Sequence, residues 1–210
     1  MATKEDILEQ IVEEYYSHQG YFVRHNVKFL PRKDHPDFVS NQDSNHSDID
    51  VLGYHPTKNG ADRVVAVSCK SWQGGFNPKT KIEEINLNKE VSGRPAWKGF
   101  RELTIDKWAD GFIGAVKEAT GSDRFTYVLA VAHIKGDRAI WEQHAPFIER
   151  LRGNPIRIVS FQDMVMEIER TLTNTLAATE VGRMLQMFKA SKLLVIDQTA
   201  ESERLLSESD

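Results

Sequence analysis

Apolar residues recur at Ile7, Leu8, Ile11, Val12, Tyr15 and Tyr16, the three-and-four spacing of a helix with one buried face. This predicts a helix over 3–18, with Thr3 placed as its N-cap, acids in its first turn and Gly20 ending it. Residues 21–30 alternate and predict a strand that Pro31 stops. A polar loop over 31–47 follows. Two further strands are predicted over 48–54 (DIDVLGY) and 63–72 (RVVAVSCKSW). The unbroken apolar run Val64 to Val67 marks the second as a central strand covered on both sides. Beyond it the pattern predicts a short helix near 80–87, a helix over 101–118 closed by Gly121, and a buried strand over 125–134. A helix over 139–152, a strand over 156–160, and helices over 161–172 and 178–190 complete the series.

The order α-β-β-β-α-β-α-β-α-α predicts an α/β fold, a mixed central sheet flanked by helices. Three successive strands require antiparallel neighbours at the start, which excludes a pure Rossmann fold. Neither GxGxxG nor GxxxxGK[ST] is present, so the usual dinucleotide and nucleoside triphosphate cradles are missing. Length and pattern suggest a core over 1–174, a helical extension over 175–196 packed on the core or a partner, and an acidic, disordered tail over 197–210. On that extension Val181, Met184, Leu185 and Phe188 share a face, the stripe of a core or dimer surface.

The 210 residues are 40% hydrophobic and 28% charged, which excludes collagenous or wholly disordered chains. No apolar run is long enough for a membrane span and no secretory signal opens the chain, so a cytoplasmic protein is expected. The single cysteine excludes an internal disulfide and a Cys-rich zinc site. A formal charge of −4 argues against binding nucleic acid through bulk positive charge. The first 14 and the last 14 residues each carry a net −4, however, so the 182 between them come to +4.

The chemistry concentrates in Ser47-Asp48-Ile49-Asp50-Val51-Leu52-Gly53 and Val67-Ser68-Cys69-Lys70-Ser71-Trp72. Strand alternation puts Asp48 and Asp50 on one face with Ile49 and Val51 on the other, and puts Ser68 and Lys70 together. If the strands are neighbours, an acid and an ammonium group meet at one end of the sheet. Such a pair suits metal-assisted phosphodiester hydrolysis. The carboxylate holds a hard cation through oxygen, and the lysine places water or stabilises charge on phosphorus. An aspartate within an apolar strand is costly unless it is paired or binds a cation.

These residues, in this order of elements, resemble the PD-(D/E)xK (restriction endonuclease-like) nuclease superfamily over roughly residues 5–135. The resemblance implies an αβββαβ core, a Mg²⁺-dependent (or Mn²⁺-dependent) endodeoxyribonuclease, and DNA as partner. It places the family aspartate on Asp50, its lysine on Lys70, and an acid of the first helix on Glu13, with Glu9 and Glu14 as alternatives. Ser68 stands where the family usually has Glu, Asp or Gln. A similar Ser-Cys-Lys triplet occurs in a subgroup of tetrameric restriction enzymes, where a glutamate about a dozen residues later supplies the missing carboxylate. Here Glu83 and Glu84 stand at that distance as metal ligands, with Glu90 and Glu102 further on. The competing explanation is an inactive relative that keeps the fold as a DNA- or protein-binding module. A homodimer would suit cleavage of both strands.

The segment 79–107 adds Lys79, Lys81, Lys89, Arg94, Lys98, Arg101 and Lys107, interleaved with Trp97 and Phe100. Of these, Lys79, Lys81, Arg94, Lys98 and Arg101 are the candidate phosphate contacts. Trp72 is expected to cap the core rather than to stack on a base. Cys69 should point away from Lys70 into the core. The histidines at 35, 46 and 55 lack the spacing of a zinc site.

Overall fold

The computed structural model describes residues 6–173, 175, 177 and 179–193. The expected cap Thr3 and the tail 197–210 lie outside the described residues. Helix α1 (Ile7–His18) is capped by Asp6, whose Oδ1 accepts from the Leu8 N–H at 2.9 Å. Strands β1 (Phe22–Phe29), β2 (Ser47–Tyr54) and β3 (Val64–Lys70) follow as an antiparallel meander. Strand β4 (Thr126–Val131) pairs parallel with β3, and β5 (Ile156–Ser160) pairs parallel with β4. The main sheet therefore runs β1-β2-β3-β4-β5 in chain order, the mixed sheet expected from the pattern.

Helices α2 (Pro78–Asn86) and α3 (Asp106–Thr120) lie in the β3–β4 connection, while α4 (Phe161–Thr171) and α5 (Glu180–Ala190) close the chain. One sheet face presents Val64, Ala66, Tyr127, Leu129 and Ile158 to Phe112, Phe76, Phe100 and Trp141. The other presents Val65, Val67, Val128 and Ala130 to Leu8, Ile11, Val12, Met164 and Ile168. Burial on both sides explains why β3 and β4 read as unbroken apolar runs. The second cluster joins helices from both ends of the chain, so that layer forms by non-local packing.

The predicted helix over 101–118 is broken. Arg101–Thr104 makes one turn, Ile105 is extended (φ −135°, ψ 121°), and α3 restarts at Asp106. The predicted helix over 139–152 splits likewise into Ala139–Glu142 and Ala145–Arg150, with Pro146 opening the second. The loop 31–47 holds a helical turn, Ser40–Asp43, fastened by a buried ion pair in which Lys107 Nζ donates to Asp43 Oδ2 at 2.7 Å. Helix α5 packs on the core through Val181 and Leu185, while Met184 and Met187 of the expected apolar stripe and its flank are exposed. Buried Glu14 holds it there, accepting from the Thr179 hydroxyl and contacting His18 Nε2 at 3.0 Å. Among the described residues, no helix is long and apolar enough to cross a membrane.

Candidate functional site

Strands β2 and β3 separate where the chemistry lies. Their last registered pair is Val51 with Val67. Two residues further along β3, the Cys69 N–H donates to Asp50 Oδ2 at 2.6 Å. The aspartate thus takes a backbone donor that the continuing ladder would have used. On the other side of β2, Asn26 in β1 faces Asp50 with φ of 53°, and the pairs on both sides of it are kept. Asparagine tolerates this left-handed conformation better than most residues.

This irregularity overturns the expected alternation of β2. Ile49 belongs to the α3-side cluster and Val51 to the α1-side cluster, so the two do not share a face. Side chains before and after Asp50 therefore follow different registers of facing. On β3 alternation holds, and Ser68 and Lys70 come together as expected, with Lys70 Nζ donating to Ser68 Oγ at 2.9 Å. The Lys70 ammonium lies 5.9 Å from the centroid of the Phe100 ring.

Beneath this pair sits a carboxylate that the sequence reading placed only among the more distant alternatives. Glu102 is 6% exposed, and its Oε1 accepts from the Tyr127 hydroxyl at 2.6 Å. Ser68 also acts on that phenol, lowering it against the effects of burial and Glu102, so the Lys70–Ser68 and Tyr127–Glu102 pairs are neighbours. Burial pushes the Glu102 carboxyl up, with Lys70 and the Tyr127 hydrogen bond opposing it and Asp50 reinforcing it. Burial also raises Asp50, against the pull of Lys70 and the Cys69 N–H. Desolvation and the neighbouring Glu102 charge push the Tyr127 phenol well up. One ammonium group is thus shared electrostatically by two enclosed carboxyls.

Of the other acids expected at the site, Glu9 acts by its charge on Cys69, while Glu83, Glu84 and Glu13 face solvent or take other partners. Glu83 is exposed on α2, and Glu84 is held by Lys81 Nζ at 2.5 Å. Glu13 contacts His25 Nε2 at 3.1 Å, while Asp48 and Asp6 add their charge to that of Glu102 around Asp50. Glu102 ranks only among the further alternatives in the sequence because the predicted helix over 101–118 runs through it; in the structure that helix breaks at Ile105 and Glu102 lies buried on its short first turn. Its flanks Phe100 and Leu103, both fully buried, were the available signal. Tyr127, the one phenol in a strand otherwise made of Thr126 and aliphatic residues, is the other.

Four of the five candidate phosphate contacts, Lys81, Arg94, Lys98 and Arg101, line one groove of about 710 Å³ beside the site. Its rim includes the small hairpin formed by Glu90–Val91 and Arg94–Pro95. Lys79 is exposed on the first turn of α2 and does not line it. Lys107 is spent on Asp43. Trp72 is more open than expected, at 38% exposed; it stacks on Phe76, meets Phe100 edge-on and carries Lys81 Nζ 5.0 Å from its ring centroid. Cys69 packs against the α1-side cluster, and burial with Asp50 nearby pushes its thiol well up. His35 and His55 turn inward on their own loops, accepting from the Asp37 and Lys58 N–H groups at 3.1 Å.

The fold and the site together define a mixed α/β protein with an acid–lysine cluster where two central strands part, beside a basic groove. No family model matches the chain, and neither a curated protein nor a solved structure matches it.

Proposed function

We propose that the chain is a metal-dependent endodeoxyribonuclease of the PD-(D/E)xK kind, working in restriction, defence or repair. The observation that carries the reading is the meeting of Asp50, Lys70 and buried Glu102 at the divergence of β2 and β3. Glu102 stands in for the acid that Ser68 lacks, in place of Glu83 or Glu84. Two carboxylates fit Mg²⁺ or Mn²⁺, which keeps several waters and takes the remaining oxygens from phosphate. Asp50 and Glu102 would hold that cation, which when bound supplies Lewis acidity toward phosphate and a more acidic water.

The protein's own groups do the rest. Ser68 fixes the Lys70 ammonium, so a positive charge stands ready where charge builds on a phosphate. Tyr127 holds one oxygen of Glu102, which sets the orientation of the carboxylate. Lys81, Arg94, Lys98 and Arg101 hold the duplex backbone and position the scissile phosphate. Plasmid cleavage with Mg²⁺ tests the reading. Wild type should nick or linearise DNA, and Lys70→Ala should lose about 100-fold or more, the scale of one removed transition-state contact. Equal inertness of wild type and Lys70→Ala on supercoiled, linear and branched DNA refutes it.

A second reading, a binding module that keeps the fold without catalysis, is favoured by Ser68 at the acid position. Among the described residues there is also no group of three or more His, Cys, Asp or Glu side chains able to hold a metal. It predicts DNA binding that EDTA leaves unchanged.

A further inference from the structure

At the opposite end of the sheet and on its opposite face, a separate cavity of about 390 Å³ opens between α1 and the first residues of β3, β4 and β5. Its floor is Val65, Val128 and Val159, which belong to the α1-side cluster. Its walls carry three phenols, from Tyr15, Tyr16 and Tyr21, two cations, Lys58 and Arg157, and one carboxylate, Asp62.

Tyr16 is the informative residue. It is 5% exposed, wedged edge-on between the Tyr15 ring at 4.9 Å and the Tyr21 ring at 5.2 Å. Two other buried phenols donate within the chain: Tyr21 to the Asp62 carbonyl oxygen at 2.6 Å, and Tyr127 to Glu102. The Tyr16 hydroxyl is not among the enclosed polar atoms left without a partner; Tyr16 lines the cavity, and its O–H is open to it. A phenol O–H open to a cavity can donate to a ligand in exchange for water.

Two cations converge on the same space. Lys58 Nζ is braced against Tyr21, donating to its hydroxyl at 3.2 Å and lying 4.6 Å from its ring centroid, which leaves further ammonium protons to donate. The Arg157 charge reaches the Tyr16 hydroxyl, and Arg157 pairs with Asp62 through a single 3.3 Å contact in which both side chains are more than half exposed. Such a contact is weak and yields readily to a better anion.

We propose that this cavity binds a phosphomonoester carried on a small organic body of about mononucleotide size. An ammonium, a guanidinium and a phenol O–H suit the three oxygens of a dianionic phosphomonoester better than the two of a carboxylate. The volume falls in the range of small-molecule sites and is more than bare phosphate fills. The Gln19 and Asn59 amides on the rim can donate to and accept from the organic part. The assignment is independent of the nuclease reading, because none of its residues belongs to the Asp50–Lys70–Glu102 cluster.

Isothermal titration calorimetry on the full chain tests it, with dAMP, ribose 5-phosphate, inorganic phosphate and adenosine as probes. The phosphomonoesters should bind, inorganic phosphate more weakly, and adenosine not measurably. Tyr16→Phe deletes only the hydroxyl, so it should fold as wild type and bind dAMP about tenfold more weakly, the scale of a lost hydrogen bond to a charged group. Arg157→Gln should weaken dAMP similarly, and Lys70→Ala should leave it unchanged. A 5′-phosphorylated dinucleotide is the last probe: binding tighter than dAMP traces the phosphate to a DNA end, and weaker binding traces it to a free metabolite. The proposal is overturned if dAMP and ribose 5-phosphate fail to bind at millimolar concentration, if adenosine binds as well as dAMP, or if Tyr16→Phe binds dAMP as wild type does.

Discussion

Glu102→Gln isolates the charge of the most enclosed carboxyl in the site. The amide oxygen of glutamine can still accept from the Tyr127 hydroxyl, so the substitution removes charge and little else. Burial outweighs Lys70 and Tyr127, and the Glu102 carboxyl is raised on folding. A carboxyl raised on folding takes up a proton as the chain folds. Its stabilising contribution is complete below its unfolded value, about 4.3, and is lost as pH rises through the folded value. Above that value the ionised Glu102 weighs against the native state, by about 1.4 kcal/mol for each unit of elevation. In a domain of this size about 1 kcal/mol moves Tm by about 2–4 °C. Thermal unfolding between pH 4 and pH 8.5 in EDTA should therefore show a widening gap. The variant should match or trail wild type at pH 4 and exceed it at pH 8.5, each unit of elevation being worth about 3–5 °C. A gap that stays constant across pH, or a variant less stable at pH 8.5, refutes the electrostatic account. Magnesium adds a second arm. If Asp50 and Glu102 hold the cation, 10 mM Mg²⁺ acting on a site of millimolar affinity stabilises wild type by about 1.4 kcal/mol and closes the gap, while the variant is indifferent.

Three further outcomes follow from other parts of the molecule. Lys107→Met leaves Asp43, 3% exposed, without its cation and should cost about 3–5 kcal/mol by urea denaturation; a loss below about 1 kcal/mol refutes a structural role for the pair. Burial pushes the Asp43 carboxyl up, but Lys107 and the Val39 N–H bring it below the usual range, so this stability is present at neutral pH and lost as pH falls through the depressed value. Gly111→Ala places a Cβ against the Leu30 carbonyl oxygen, a backbone atom that cannot swing aside, and should lower stability by about 1–3 kcal/mol; an unchanged denaturation midpoint refutes that close approach. Arg94→Ala and Lys98→Ala should each weaken DNA binding uniformly across sequences and reduce the slope of log K against log salt by about 1, read by fluorescence anisotropy; an unchanged slope removes these residues from the interface.

The mixed sheet was legible because its evidence is local. Val64 to Val67 and the 125–134 run are long apolar stretches, and doubly covered strands leave that trace whatever they pack against. The breaks at Ile105 and before Pro146 were less legible, since helical spacing continues through both while tertiary packing decides where each helix stops. The site divides along the same line. Ser68 and Lys70 are two apart on a regular strand, so period-two reasoning brings them together correctly. Glu102 is 32 positions beyond Lys70 and arrives through a turn of helix whose inward facing depends on Phe100 and Leu103 packing beneath the sheet. No spacing rule connects it to Asp50.

The failure of alternation at Asp50 is the most instructive departure, because the cause of the misreading is also what makes the site. A regular β2 would have kept Ile49 and Val51 on one face and continued its ladder with β3 past Val67. Instead Asn26 takes a left-handed conformation opposite Asp50, the facing reverses, and the β2–β3 register ends at Val51. The freed Cys69 N–H then has the Asp50 carboxylate as its acceptor, which anchors an acid that burial would otherwise disfavour. A left-handed asparagine in a strand costs of order 1 kcal/mol or more and persists only where the surroundings fix it. Here β1 keeps its pairs with β2 on both sides of Asn26, so the sheet itself holds the distortion. Asn26→Gly should therefore be tolerated and Asn26→Val, whose branched Cβ resists positive φ, should cost stability and disturb Asp50 together. An Asn26→Val protein as stable as wild type, with its Asp50 pKa by NMR unmoved, would separate the strand distortion from the placement of the acid.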